Sequence, residues 1–267
     1  MSAFDSQKDI ARRVRRHDYD RYFATLFCPA DRRPALLALY AFNLEIATLR
    51  ESTSEPLVGR MRLQWWRDAI GAILDGRPPG HPVAIALAEA AARHDLTRAS
   101  FDVMIDGREA DLDDAAPADL AAIEGYAAST SSSLVRLALA VLGANGAEAE
   151  EMAHHAGLAW GLTGLLRAAR FHAARQQSHL LAAVLHDGGS DVVRDIASAA
   201  RAHLVAARRI EPALPRRALG AVLPVACVES YLARLARARH DPFGESVELP
   251  RMARQWRMTI SAVRGRV

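Results

Sequence analysis

The chain has 267 residues, 51% hydrophobic and 24% charged, with a formal net charge of +3. That length lets a single core bury about three quarters of the unfolded surface, and the composition is that of a soluble globular protein. It excludes a disordered or collagen-like chain, and no window approaches the roughly 20 uninterrupted apolar residues of a membrane span. Abundant Ala and scarce β-branched runs predict an all-α fold. The cations are almost all Arg, with Lys8 the sole lysine. A GC-rich genome accounts for that plainly; recognition of phosphate or acidic lipid is the functional reading, because guanidinium groups grip such oxygens in pairs. Cys28 and Cys227 lack CxxC or CxxH spacing, which predicts free buried thiols in a reducing compartment.

Residues 7–27 predict one or two short helices carrying Arg12, Arg13, Arg15 and Arg16. Asp5, Asp9 and Asp18 flank this run and argue against a targeting segment. The expected location is cytoplasmic, with peripheral contact to the inner membrane as an option for the arginines. Ala35 to Glu51 recurs apolar at Leu36, Leu39, Tyr40, Leu44, Ile46 and Leu49, which predicts a buried central helix capped by Asp31. Residues 54–76 predict an amphipathic helix ended by Gly76, Pro78 and Pro79, with Trp66 in the core. A further helix is expected from His81 to His94, and another from about Arg98.

The acidic stretch that follows holds Asp106, Glu109, Asp111, Asp113 and Asp114. Asp106 and Glu109 share a helical face, which admits a metal site, but a solvated helix end is the expectation. Residues 117–143 predict one long helix whose run Ser129 to Ser133 admits a neighbouring helix or a ligand. Later helices are expected at about 191–209, 218–239 and 250–264, all in one domain spanning 1–267. His154, His155, His172 and His179 invite a transition-metal reading. Adjacent histidines point to different helix faces, and His172 and His179 are two turns apart, so partly exposed histidines and no metal site are expected. No GxSxG, P-loop or GxGxxG occurs, and nothing beyond arginine content points to nucleic acid.

The segment CPADRRPALLALYAF (28–42) resembles the squalene/phytoene synthase family, where a PxxRRxAxxALYAFCRxxDDxxD stretch supplies the first aspartate-rich motif. The resemblance implies a single-domain class I isoprenoid-synthase-like helical bundle around a central cavity. In that family the aspartates hold Mg²⁺ against a prenyl diphosphate. Here the motif positions are Ala47 and Glu51, with Thr48 beside the first. The second motif resembles GxAxQLTNILRDVxED and is matched by GLAWGLTGLLRAARFH (157–172). Gly161 and Gly164 stand for its Gln and Asn, Ala168 and His172 for its metal-binding aspartates, and Phe171 for the acidic residue between them. Gly161, Gly164, Ala168 and His172 step by three or four and line one helical face.

Mg²⁺ demands hard oxygen ligands in near-octahedral geometry, and of the four motif positions only Glu51 is acidic. The expectation is therefore a non-catalytic relative with no cofactor and no catalytic residues. Arg50, Arg167 and Arg175 are candidate anion-binding residues at the former diphosphate end. The segments AFNLEIATLRESTSEPLVGRMRLQWWRDAI, DGREADLDD and LLRAARFHAAR are similar to the complex I assembly-factor subgroup of the family. That implies respiratory complex I subunits or other assembly factors as partners. Two readings of the cavity stand level: it holds a lipid or isoprenoid tail, or the apolar end of a client subunit, or it is closed by tighter packing of small residues. The alternative is an active prenyl-diphosphate transferase using Mg²⁺ on rearranged ligands such as Glu51 with Asp106 or Asp111.

Overall fold

The computed structural model describes residues 3–53, 55–113, 117–174, 180–243 and 247–267, and the side chains of these except 3–6 and 171–189. The described residues are helical throughout their ordered elements, with no strand among them. In chain order the helices are α1 (Ala3–His17), α2 (Tyr19–Thr25), α3 (Arg33–Ala47), α4 (Leu49–Ser52), α5 (Pro56–Leu74), α6 (Pro82–Ala91) and α7 (Arg98–Glu109). There follow α8 (Leu120–Ala127), a π turn (Ala128–Ser132), α9 (Ser133–Val141), α10 (Ala147–Ala174) and α11 (Leu180–Ile210). The last are α12 (Leu219–Val222), α13 (Val228–Arg237) and α14 (Arg251–Arg264).

Helix α3 is the axis of the bundle. Ten of its 15 residues are buried, on every face, as expected of a helix enclosed by others. It meets α1, α6 and α9. Phe42 links it to two more helices, lying edge-to-face on Trp66 of α5 at 5.2 Å and on Phe101 of α7 at 5.4 Å. Trp66 is thus a core residue, 3% exposed. Such aromatic groups each stabilise the fold by several kcal/mol, since truncating a buried Phe or Trp to Ala costs about 3–5 kcal/mol.

Three predicted boundaries are corrected. The central helix breaks at Thr48, which leaves helical geometry at φ −101°, ψ 10° and donates its Oγ1 hydrogen to the Leu44 carbonyl at 2.8 Å. A hydroxyl that bonds back along the chain competes with the helical ladder. Ala47 therefore ends α3, while Glu51 belongs to α4. Asp31 does not cap α3: its carboxylate takes Arg32 Nε at 3.1 Å, and Pro34 occupies the first turn, where no N–H is needed. The single helix expected over 117–143 is interrupted by the π turn, where Ser129 and Thr130 both donate to the Tyr126 carbonyl.

The small-residue run at that turn serves close packing. A Cβ on Gly157 of α10 would lie 2.3 Å from the Ser132 Cα, and one on Gly161 would lie 2.9 Å from the Ser131 Cβ. Across the turn, a Cβ on Gly107 of α7 would lie 2.3 Å from Ser129 Oγ. Residues 216–237 are long and apolar enough to cross a membrane, but 72% of the most apolar 18-residue window within them is buried inside the bundle. Cys28 and Cys227 are free buried thiols, as their spacing predicts.

Candidate functional site

A cleft of about 590 Å³ opens where α2, α4, α10 and α14 approach one another. Its wall includes Arg16, Asp20, Glu51, Trp160, Gly164, Arg167, Ala168 and Arg254. A smaller pocket of about 170 Å³ adjoins it through Arg21, Trp160 and Gly164, and runs between Asn43, Arg108, Tyr126 and Ser131. Two of the three glycines of α10, Gly161 and Gly164, border these cavities. Gly161 packs closely against the π turn while lining the smaller pocket, whereas a Cβ on Gly164 would meet nothing within 4 Å. Close packing thus narrows the smaller pocket at Gly161, and the wall stands open one turn later at Gly164.

The charged residues of the cleft are arranged as crossed ion pairs. Asp20, 4% exposed, accepts from Arg254 Nη1 at 2.8 and 2.9 Å, with Arg167 Nη1 3.8 Å away. Burial pushes the Asp20 carboxyl up from the ordinary carboxylate range, and the Arg254 and Arg167 guanidiniums pull against it. Arg167 also donates to Glu248 at 2.7–2.8 Å and lies over the Tyr231 ring at 4.2 Å. Asp18 caps α2 and holds Arg21 Nη1 at 2.7 Å. In the adjoining pocket, Tyr126 OH donates to Asp111 at 2.7 Å while accepting from Arg108 at 2.6 Å.

The residues singled out by sequence separate accordingly. Glu51 and Ala168 line the same cleft, with Gly164 between the cleft and the adjoining pocket. Ala47 and Thr48 are half-buried at the α3–α4 break. Glu45, near them in sequence, turns away to pair with Arg13, with His81 Nε2 3.9 Å off. Arg167 is in the cleft and already engaged, and Arg50 sits half-buried on α4 beside Glu51. Phe171, His172 and Arg175 lie outside the residues whose side chains are described, as do His179 and Asp114.

The acidic stretch on α7 is bound up with arginines. Asp106, 61% exposed, accepts from Arg67 at 2.6 Å, with Glu109 3.4 Å from the same nitrogen. Asp111 is bridged to Arg108, and Asp113 to Arg60 at 2.5 Å. Asp106 and Asp111 are thus each held by an arginine. Sequence reasoning missed Asp20, Trp160 and Arg108 as site residues.

Comparison with known proteins gives a consistent picture. A family model for squalene/phytoene synthase matches residues 14–264. The Bos taurus NADH dehydrogenase (ubiquinone) complex I assembly factor 6 is 36% identical over 250 residues, covering 88% of this chain and 75% of that protein. A presqualene diphosphate synthase from Rhodopseudomonas palustris is 29% identical over 216 residues, covering 75% and 77%. Among solved structures, the squalene synthase HpnC from Alicyclobacillus acidocaldarius superposes with a TM-score of 0.78 at 19% identity, covering 90% of this chain and 97% of that one. That likeness concerns the fold: a helical bundle of the isoprenoid-synthase type.

Proposed function

The chain belongs to the squalene/phytoene synthase family, and from that premise we propose that it is a non-catalytic member acting in the assembly of NADH:quinone oxidoreductase. The observation that carries this reading is the donor set of the cleft. Ala168 stands where the resemblance expects an aspartate, Ala47 likewise, and of the four acids that line the cleft Asp18, Asp20 and Glu248 are each matched to a guanidinium, Glu51 being the fourth. Mg²⁺ needs several oxygens free to converge on one point; the described side chains do not fit a multi-ion cluster, and no catalytic step is assigned. The 36% identity to an assembly factor over most of both chains points the same way.

The cleft then serves to bind. Its crossed ion pairs beside Trp160 suit a polar or anionic segment, such as part of a client subunit, better than a buried isoprenoid tail. A lipid head group is the second reading, favoured by the arginines of the wall. The exposed Met252, Trp256 and Val263 share one face of α14, with Arg251 and Arg257 beside them, which supports peripheral contact with a membrane from the cytoplasmic side.

Deleting the gene in its own organism and resolving membrane complexes on native gels tests the proposal. Loss of the assembled oxidoreductase, restored by the intact gene but not by a Gly164→Leu variant that fills the cleft, is the expected result. Full assembly in the deletion strain would overturn it. Mass spectrometry of extracted lipids separates the head-group reading from the client-segment reading.

A further inference from the structure

Away from the cleft, α8, α10 and α11 bring three imidazoles together. His154 and His155 are neighbours on α10, and His203 reaches them from α11. One nitrogen from each ring lies within 4.8 Å of the other two. The ring centroids are 4.9 Å apart for His154–His155, 5.0 Å for His155–His203 and 5.7 Å for His154–His203. Adjacent histidines diverge on an isolated helix, but α11 supplies a third ring at the point between them.

The protons can be placed. His203 Nε2 lies 3.3 Å from Glu124 Oε1 on α8, so it carries the hydrogen that the carboxylate accepts. Its Nδ1 therefore presents a lone pair, 2.8 Å from His155 Nδ1. Without a metal, His155 Nδ1–H donates to that lone pair. Moving the His155 hydrogen to its Nε2 frees two facing lone pairs with no net loss of protons.

We infer that His154, His155 and His203 form a binding site for a borderline divalent transition-metal cation such as Zn²⁺, with Glu124 orienting His203 from behind. Three imidazoles and a carboxylate bonded to the far nitrogen of one of them is the ligand pattern zinc favours. Zinc–nitrogen bonds of about 2.0–2.1 Å place tetrahedral nitrogens about 3.4 Å apart, so side-chain rotation of roughly an ångström gathers the three rings. His154 is exposed and the other two half-buried, which leaves the fourth position to water. The nearby Arg136 guanidinium is met by Glu150 at 2.5 Å, so it does not oppose a cation unscreened. Burial and the neighbouring imidazoles hold His154 and His155 below the usual histidine value, in keeping with neutral ligands. The bound ion would staple α10 to α11, and through Glu124 to α8, independently of what the cleft binds.

The test uses the full chain without an affinity tag. After equilibration with zinc sulfate and dialysis, elemental analysis is expected to find one zinc ion per chain. Zinc at a hundredfold excess over its Kd is expected to raise Tm by about 5–10 °C. His155→Ala and His203→Ala are expected to abolish both effects, and Glu124→Gln to weaken binding about 10–100-fold. His240→Ala, outside the cluster, serves as the control. Cobalt(II) added instead is expected to give the visible absorption of a tetrahedral site in the parent and not in His203→Ala. Should a histidine variant fail to fold, Glu124→Gln carries the decision alone. Absence of bound zinc in the parent, or zinc bound equally well by folded variants, overturns the inference.

Discussion

Two glycines seven residues apart on α10 should respond oppositely to the same added methyl group. Alanine at position 164 adds a Cβ to open space, with nothing within 4 Å. Glycine inside a helix is less stable than alanine by roughly 0.5–1 kcal/mol, so Gly164→Ala should gain about that much. For a chain of this size that raises Tm by about 1–4 °C. Alanine at position 157 places its Cβ 2.3 Å from the Ser132 Cα and 2.6 Å from the Ser132 backbone nitrogen. Carbon atoms settle at about 3.5–4.0 Å, so α10 and the π turn must part by more than an ångström. Overpacking of this kind costs about 1–3 kcal/mol, and backbone offers no rotamer to give way. Urea denaturation followed by circular dichroism separates the two variants. A Gly157→Ala protein as stable as the parent, or a Gly164→Ala protein less stable than it, would refute the packing of α10 described here and with it the open cleft at Gly164.

Arg254→Met should leave Asp20 buried beside a single distant guanidinium and destabilise the fold by about 3–5 kcal/mol at pH 7.5. Because burial already raises the Asp20 pKa and Arg254 is the foremost charge opposing that rise, its removal raises the pKa further. Protonation then removes the uncompensated charge, so the gap between variant and parent should narrow as pH falls towards 5, read from denaturation midpoints; a gap that widens would contradict the pairing. Burial pushes both the Cys28 and Cys227 thiols up to about 12. Neither should react with a chromogenic disulfide at pH 8 in the folded protein, and both should react in denaturant. Rapid reaction of either thiol under native conditions would show that it is not enclosed.

The sequence revealed most where one helix carries one message. The all-round apolar pattern of Leu36, Leu39, Tyr40 and Phe42 could only be buried, and α3 is. Trp66 followed from the large apolar area its ring has to bury. Local hydrogen bonds were harder to read. Thr48, Ser129 and Thr130 each bond back to a carbonyl three or four residues earlier, which breaks two helices that periodicity alone joins. Ion pairing was hidden by distance along the chain: Asp20 and Arg254 are 234 residues apart. In the same way His154 and His155 look divergent on one helix, because the ring that gathers them, His203, arrives 48 residues later. The degenerate motif positions were legible as residue types, while the partners that neutralise the surviving acids required the fold.

The most direct measurement is the release of pyrophosphate from farnesyl or geranylgeranyl diphosphate incubated with the protein and Mg²⁺. The donor set of the cleft predicts no release above a protein-free control and no condensed hydrocarbon product. Mg²⁺-dependent release that disappears in a Glu51→Gln variant would contradict the account.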